Sequence, residues 1–158
     1  MKKTKQALDW IVKIIRKEKI PFQICGGFAA NIYGSTRPLA DIDICVPNEK
    51  VFVIQKNVGK HIIYGPKRYK DKEFDLLLMT LKYKGQEIDI CGADSMKLFN
   101  KKTKKWAPDK TNFNKSVKKK VHGLFIPVIP IKELIAYKQK ISRRVDIQDV
   151  KSLLKKAL

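Results

Sequence analysis

The chain has 158 residues, of which 44% are hydrophobic, and its formal net charge is +20. This length predicts a single domain over residues 1–158, and no apolar run approaches the roughly 18 residues that a membrane span requires. The basic excess fits a surface that binds RNA or another polyanion. It fits a solvated surface equally well, because thirty of the thirty-five basic residues are lysine.

The first half of the chain predicts alternating helices and strands. Apolar residues three and four apart indicate a helix, short or alternating apolar runs indicate strands, and glycine and proline mark breaks. The predicted elements are a helix over 3–18, a strand over 22–25, a helix over 28–33, a strand over 41–46 and a helix over 49–57.

The second half predicts a hairpin and two closing helices. Residues 74–83 and 87–91 are strand-like runs separated by Lys84-Gly85, which is a hairpin signal. The other predictions are a strand over 61–64, a polar loop over 65–73, an irregular lysine-rich stretch over 92–120, a short strand within 121–130, and helices over 131–141 and 145–157. We therefore expect an α/β (α+β) fold in which a small mixed sheet, with its core over about 20–91, is flanked by helices and closed by a helical segment over about 131–157.

The three cysteines, Cys25, Cys45 and Cys91, each lie in an apolar strand-like run. An odd number without zinc-ligand spacing argues against a disulfide framework and against a zinc site. The sequence therefore predicts buried, reduced thiols and a cytoplasmic location.

Two aspartates on one predicted strand are the strongest chemical signal. Asp41 and Asp43 alternate with Ile42 and Ile44, so both carboxylates project from one face while the isoleucines enter the core. Two carboxylates on one strand face repel each other, and a divalent cation relieves that repulsion. Nearby, the pair Gly26-Gly27 opens a predicted helix whose N–H groups suit a phosphate. This combination predicts a metal-dependent phosphoryl or nucleotidyl transfer site.

The order and spacing of these residues resemble the DNA polymerase β-like nucleotidyltransferase superfamily. Gly26-Gly27 is followed, after thirteen residues, by Asp41-Ile42-Asp43, as in its small minimal, antibiotic-modifying and toxin-type members. The resemblance implies a third carboxylate on a later strand. Glu87 and Asp89 both fit, and the sequence does not decide between them. Asp89 is favoured because its apolar flanks repeat those of the first pair.

The resemblance implies an enzyme that moves a nucleoside monophosphate from a nucleoside triphosphate, such as ATP, to a hydroxyl acceptor and releases pyrophosphate. Asp41, Asp43 and Asp89 would be catalytic and would hold two Mg²⁺ ions. The implied nucleotide-binding residues are Gly26, Gly27, Ser35, Thr36, Arg37 and Lys138.

The acceptor stays open at this stage. The motif sequence is most similar to that of the antibiotic-modifying branch, which implies a small hydroxylated molecule as the acceptor. The lysine excess favours RNA, such as tRNA, as in toxin-type members, which would add an antitoxin as a partner. A total of only fifteen acidic residues argues against a cationic drug such as an aminoglycoside. The alternative function is a catalytically silent nucleotide- or RNA-binding module on the same fold.

Overall fold

The computed structural model describes residues 2–157. Its α-helices are α1 (Lys2–Lys17), α2 (Gly26–Ile32), α3 (Asn48–Val58), α4 (Ile131–Ile141) and α5 (Arg144–Ala157). Its strands are β1 (Gln23–Cys25), β2 (Asp41–Val46), β3 (Ile62–Lys70), β4 (Phe74–Tyr83), β5 (Gln86–Gly92), β6 (Lys97–Asn100), β7 (Lys105–Pro108), β8 (Val117–Val121) and β9 (Leu124–Val128).

All of these strands belong to one mixed sheet. Eight of them follow the order β7-β6-β4-β5-β2-β1-β9-β8, and β3 pairs with β4 off this path. The β2–β5 and β1–β9 pairs are parallel, and the other pairs are antiparallel. The predicted mixed sheet with flanking helices is confirmed, although nine strands make the sheet larger than expected.

The main core lies on the face of the sheet that carries the isoleucines of β2 and β5. Ile42 and Ile44 are fully buried, as are Ile88 and Ile90. Apolar residues of α1 and α3 belong to the same core cluster, so these helices cover this face. Because side chains alternate along a strand, the residues between these isoleucines point to the opposite face, where the site lies.

Two irregular stretches of the sequence form strands instead. The loop predicted over 65–73 is wrong up to Lys70, because Gly65-Pro66 lies within β3 at a shift in its register with β4. The stretch 92–120 contains β6, β7 and β8. All four residues of β7 are exposed, so this strand has no buried face and no hydrophobic alternation to reveal it.

The two closing helices form as expected. Ser142, with φ of 44°, caps α4 in the left-handed conformation, and α5 begins at Arg144. None of the helices within residues 2–157 combines the length and the apolar character needed to cross a membrane.

Candidate active site

Three carboxylates meet at the middle of the sheet. The parallel pairing of β2 with β5 places Asp43 beside Asp89, and Asp41 precedes Asp43 by two residues on the same face. One carboxylate oxygen from each of the three lies within 4.8 Å of the others. Glu87 lies opposite Asp41 but is exposed and is not part of this group. The structure therefore favours Asp89 over Glu87 as the third carboxylate.

The triad is costly to ionise in the absence of a cation. Burial raises the pKa of Asp43 well above its usual range, and the charges of Asp41 and Asp89 raise it further. Burial also raises the pKa of Asp89 to about 7, although the hydroxyl of Thr80 donates a hydrogen bond of 2.7 Å to its Oδ1. Oxygen donors crowded in this way match the ligand preference of Mg²⁺, so the residues present fit that ion.

The glycine pair lets Asp43 and Arg37 approach the start of α2 closely. Gly26 has φ of +61°, and a Cβ placed there would overlap the Asp43 carboxylate. A Cβ at Gly27 would lie 2.8 Å from Arg37 Nη2. The N–H of Gly27 donates to Asp43 Oδ2 at 3.2 Å. Gly26 is thus needed for the backbone turn to lie against the Asp43 carboxylate, and Gly27 leaves room for the Arg37 guanidinium.

A cavity of about 440 Å³ opens over the triad and the glycine turn. Two arginines, Arg37 and Arg143, are the basic side chains among its lining residues, and no lysine of the described chain lines it. Six of the fifteen acids line this cavity: Asp41, Asp43, Asp71, Glu87, Asp89 and Asp109. The cavity of this strongly basic protein is therefore acidic, which the small total of acids did not predict.

Beyond the carboxylates, the cavity wall mixes apolar and acidic groups. Phe74, Leu76 and Met96 provide apolar surface. Asp71 accepts hydrogen bonds from Tyr69 and from backbone N–H groups. These bonds outweigh its partial burial and lower its pKa. Burial instead raises the pKa of Asp109. This part of the cavity suits a ligand with both apolar and cationic or hydroxyl groups.

A buried ion network holds the two cavity arginines. Arg37 donates two hydrogen bonds to Asp149, at 3.1 and 2.8 Å, and Arg143 donates to Asp146 at 2.7 Å. Lys138 Nζ lies between these aspartates, 2.9 Å from Asp146 and 3.0 Å from Asp149. Burial opposes ionisation of both aspartates, but their ion pairs hold the pKa of each below its usual value. These ion pairs therefore hold both guanidinium groups in place beside the cavity.

No protein-family model matches the chain, and no curated protein matches it either. Solved structures do. A protein of Thermotoga maritima, provisionally assigned as a nucleotidyltransferase, has 18% identity and a TM-score of 0.72, over 95% of this chain and 91% of that chain. The lincosamide antibiotic adenylyltransferase LnuA, bound to lincomycin, has 17% identity and a TM-score of 0.59, over 94% and 95%. ANT(2")-Ia, in complex with adenylyl-2"-tobramycin, has 13% identity and a TM-score of 0.60, over 98% and 90%.

The chain has the nucleotidyltransferase fold. These likenesses extend over nearly the whole chain, and they confirm the fold expected from the motif at Gly26-Gly27 and Asp41-Ile42-Asp43.

Six of the nine site residues expected for a nucleotidyltransferase fold line the cavity: Gly26, Gly27, Arg37, Asp41, Asp43 and Asp89. The other three lie elsewhere. The side chain of Lys138 is fully buried between two aspartates, so it does not face the cavity. Ser35 is buried and donates to Asp149 at 2.7 Å, while Thr36 is exposed outside the cavity. Ser35 and Lys138 therefore contact the aspartates that pair with Arg37 and Arg143, and neither of them lines the cavity.

Three charged cavity residues are not among the predicted site residues. Arg143 lies between the two predicted closing helices, and Asp71 lies in the predicted loop. Asp109 carried a signal, because it is the single acid among nine lysines between residues 101 and 120.

Proposed function

We propose that this protein is a metal-dependent nucleotidyltransferase that moves a nucleoside monophosphate from a nucleoside triphosphate to a hydroxyl group of a small acceptor, with release of pyrophosphate. The observation that carries the proposal is the triad of Asp41, Asp43 and Asp89, with carboxylate oxygens within 4.8 Å of one another. It lies in a cavity that also presents a glycine turn and Arg37.

The triad would hold the divalent cations. Asp43 and Asp89 have raised pKa values because burial and their neighbours oppose a second and third negative charge. A cation would therefore be bound strongly here and would keep all three carboxylates ionised. Bound Mg²⁺ would polarise the α-phosphate and lower the pKa of the acceptor hydroxyl.

The protein's own groups would orient the reactants and move the proton. Asp89, held ionised beside the cations, would be placed to accept the proton of the acceptor hydroxyl. Arg37, fixed by Asp149 beside Gly27, would offset the charge that develops on the leaving pyrophosphate. The absence of a side chain at Gly26 would let the Asp43 carboxylate stay against the start of α2, where it faces the cavity.

The cavity favours a small acceptor with hydroxyl and amino groups over RNA. Its lining includes Asp71 and Asp109, both remote in sequence from the triad, and no lysine of the described chain. A phosphodiester chain would be repelled from such an acidic surface, whereas an ammonium group would be attracted. Two structural neighbours hold lincomycin and adenylyl-2"-tobramycin, which are small hydroxylated molecules.

A label-transfer screen tests the proposal and names the acceptor. Purified protein with Mg²⁺ and each of four α-labelled nucleoside triphosphates is mixed with aminoglycosides, lincosamides or total tRNA. We expect label in a small molecule, and none with Asp41→Asn. Label in tRNA would identify RNA as the acceptor and overturn the small-molecule assignment. No transfer to any acceptor, combined with no binding of Mg²⁺, would favour the catalytically silent module.

A further inference from the structure

Three cysteines form a row across the cavity face of the sheet. Cys45 on β2 is in parallel register with Cys91 on β5, and Cys25 on β1 lies diagonally across from Cys45. The sulfur atoms of Cys25 and Cys45 are 3.1 Å apart. All three thiols line the cavity that contains the carboxylates. The three cysteines are far apart along the chain, and the pairing of the strands brings them together.

We propose that Cys25 and Cys45 form a reversible disulfide when a hydroperoxide enters the cavity, and that this bridge disables the carboxylate site. Hydrogen peroxide transfers one oxygen to one sulfur of the pair, which becomes a sulfenic acid, and water leaves. The other thiol then attacks that sulfur, the S–S bond forms, and a second water leaves. The two thiols lose two electrons, and the O–O bond of the peroxide gains them.

The bridge joins the two thiols that are already in contact. Cys25 is partly exposed at the end of β1, and both Cys25 and Cys45 line the cavity, so a small oxidant can reach the pair. Because the two sulfurs are in contact, the thiol that is oxidised first has its resolving partner beside it.

Closing the bridge draws β1 and β2 together at the two thiols. The two sulfurs must approach by about 1 Å to reach the bonding distance of about 2.05 Å. Diagonal partners in an antiparallel pair have Cα atoms about 7–8 Å apart, beyond the usual span of a relaxed disulfide.

The carboxylate of Asp43 lies where this movement occurs. Asp43 is in register with Cys25 and is two residues before Cys45, on the same face of β2. Its Oδ2 accepts the hydrogen bond from Gly27, the second residue after Cys25. Drawing β1 and β2 together at the thiols therefore displaces both partners of this contact. The loss of transfer rests on the proposed function, whereas the bridge itself rests on the sulfur geometry alone.

The test uses the full chain, treated with hydrogen peroxide and then digested without reduction. We expect a peptide that links Cys25 to Cys45, with the loss of two hydrogen atoms. Mg²⁺-dependent transfer should fall at least about tenfold and return after dithiothreitol. Cys91→Ser is the matched control and should remain sensitive to peroxide. Cys25→Ser should keep, after peroxide, the activity that it had before.

The absence of a linked peptide would overturn the inference, and so would a peptide that links Cys45 to Cys91. Equal peroxide sensitivity in Cys25→Ser and in the unchanged protein would also overturn it. Because the linked peptide of the unchanged protein is measured by mass, it needs neither a variant nor activity. A Cys25–Cys45 bridge in a protein without any transfer activity would contradict the proposed function and leave the bridge standing.

Discussion

Replacing Asp89 by asparagine should stabilise the metal-free protein and remove its response to Mg²⁺. The pKa of Asp89 is raised from its ordinary value of 3.8 to about 7, mainly by burial. The folded protein therefore keeps a proton that the unfolded chain releases above pH 4, and stability falls as the pH rises towards 7. Asparagine carries no charge, so the stability of the variant does not fall in this way as the pH rises.

The size of the effect follows from the same shift. The interval from 3.8 to about 7 corresponds to at most about 4 kcal/mol. Because Asp89 is only partly buried, solvent screening reduces this to about 1–2 kcal/mol at pH 8, and the difference should vanish near pH 4. With bound Mg²⁺, the unchanged protein should become more stable than the variant. Mg²⁺ at a hundred times its dissociation constant adds about 2.7 kcal/mol to the free energy of unfolding.

Chemical denaturation at pH 4 and pH 8, with EDTA or with Mg²⁺, measures these differences. Glu87→Gln is the matched control, because Glu87 lies on the same strand face but is exposed and outside the triad. It should change stability little and keep the Mg²⁺ response. The reasoning is refuted if Asp89→Asn is less stable than the unchanged protein at pH 8 in EDTA. Equal stabilisation of both proteins by Mg²⁺ would also refute it.

Three other substitutions test the surroundings of the triad. Gly26→Ala should lower kcat/KM about a hundredfold, because its Cβ displaces the adjacent carboxylate. Gly85 also has a positive φ, but a Cβ there would meet no other atom, so Gly85→Ala is the control. An equal loss of kcat/KM in the two variants would contradict this expectation. Lys138→Met should lower the free energy of unfolding by about 3–5 kcal/mol, because it leaves two buried aspartates without their shared cation. Lys5→Met, which breaks an exposed ion pair, is the control, and an equal loss of unfolding free energy in the two variants would contradict this expectation. Arg37→Lys should lower kcat/KM about tenfold through a higher KM for the nucleotide, since lysine cannot form the two-bond pair. An unchanged KM would place the guanidinium outside nucleotide binding.

The central part of the site follows from local sequence pattern. Alternation with a period of two places Asp41 and Asp43 on one face, and it correctly buries Ile42 and Ile44. The same period cannot separate Glu87 from Asp89, because both lie on one face of β5. Only the register with β2 separates them, since it places Asp89 beside Asp43.

The surroundings of the site depend on contacts that no local pattern encodes. Lys138 lies at helical spacing from the buried residues Leu134 and Ile141, so periodicity places it on the buried face of α4. Its ionic partners appear only when α5 brings two aspartates against it. Ser35 contacts Asp149 across 114 positions of the chain. A lysine-rich stretch gave no strand signal, yet it supplies Asp109 to the cavity. Such features need the sheet order and the packing of the closing helices.

The most direct test of nucleotidyl transfer compares ATP labelled at the α-phosphorus with ATP labelled at the γ-phosphorus. Both are incubated with Mg²⁺, the acceptor panel and either the unchanged protein or Asp41→Asn. We expect the α label on the acceptor and the γ label in pyrophosphate, and neither product with the variant. The γ label on the acceptor would indicate a kinase, and γ label in orthophosphate alone would indicate a hydrolase. Either result would contradict nucleotidyl transfer at this site.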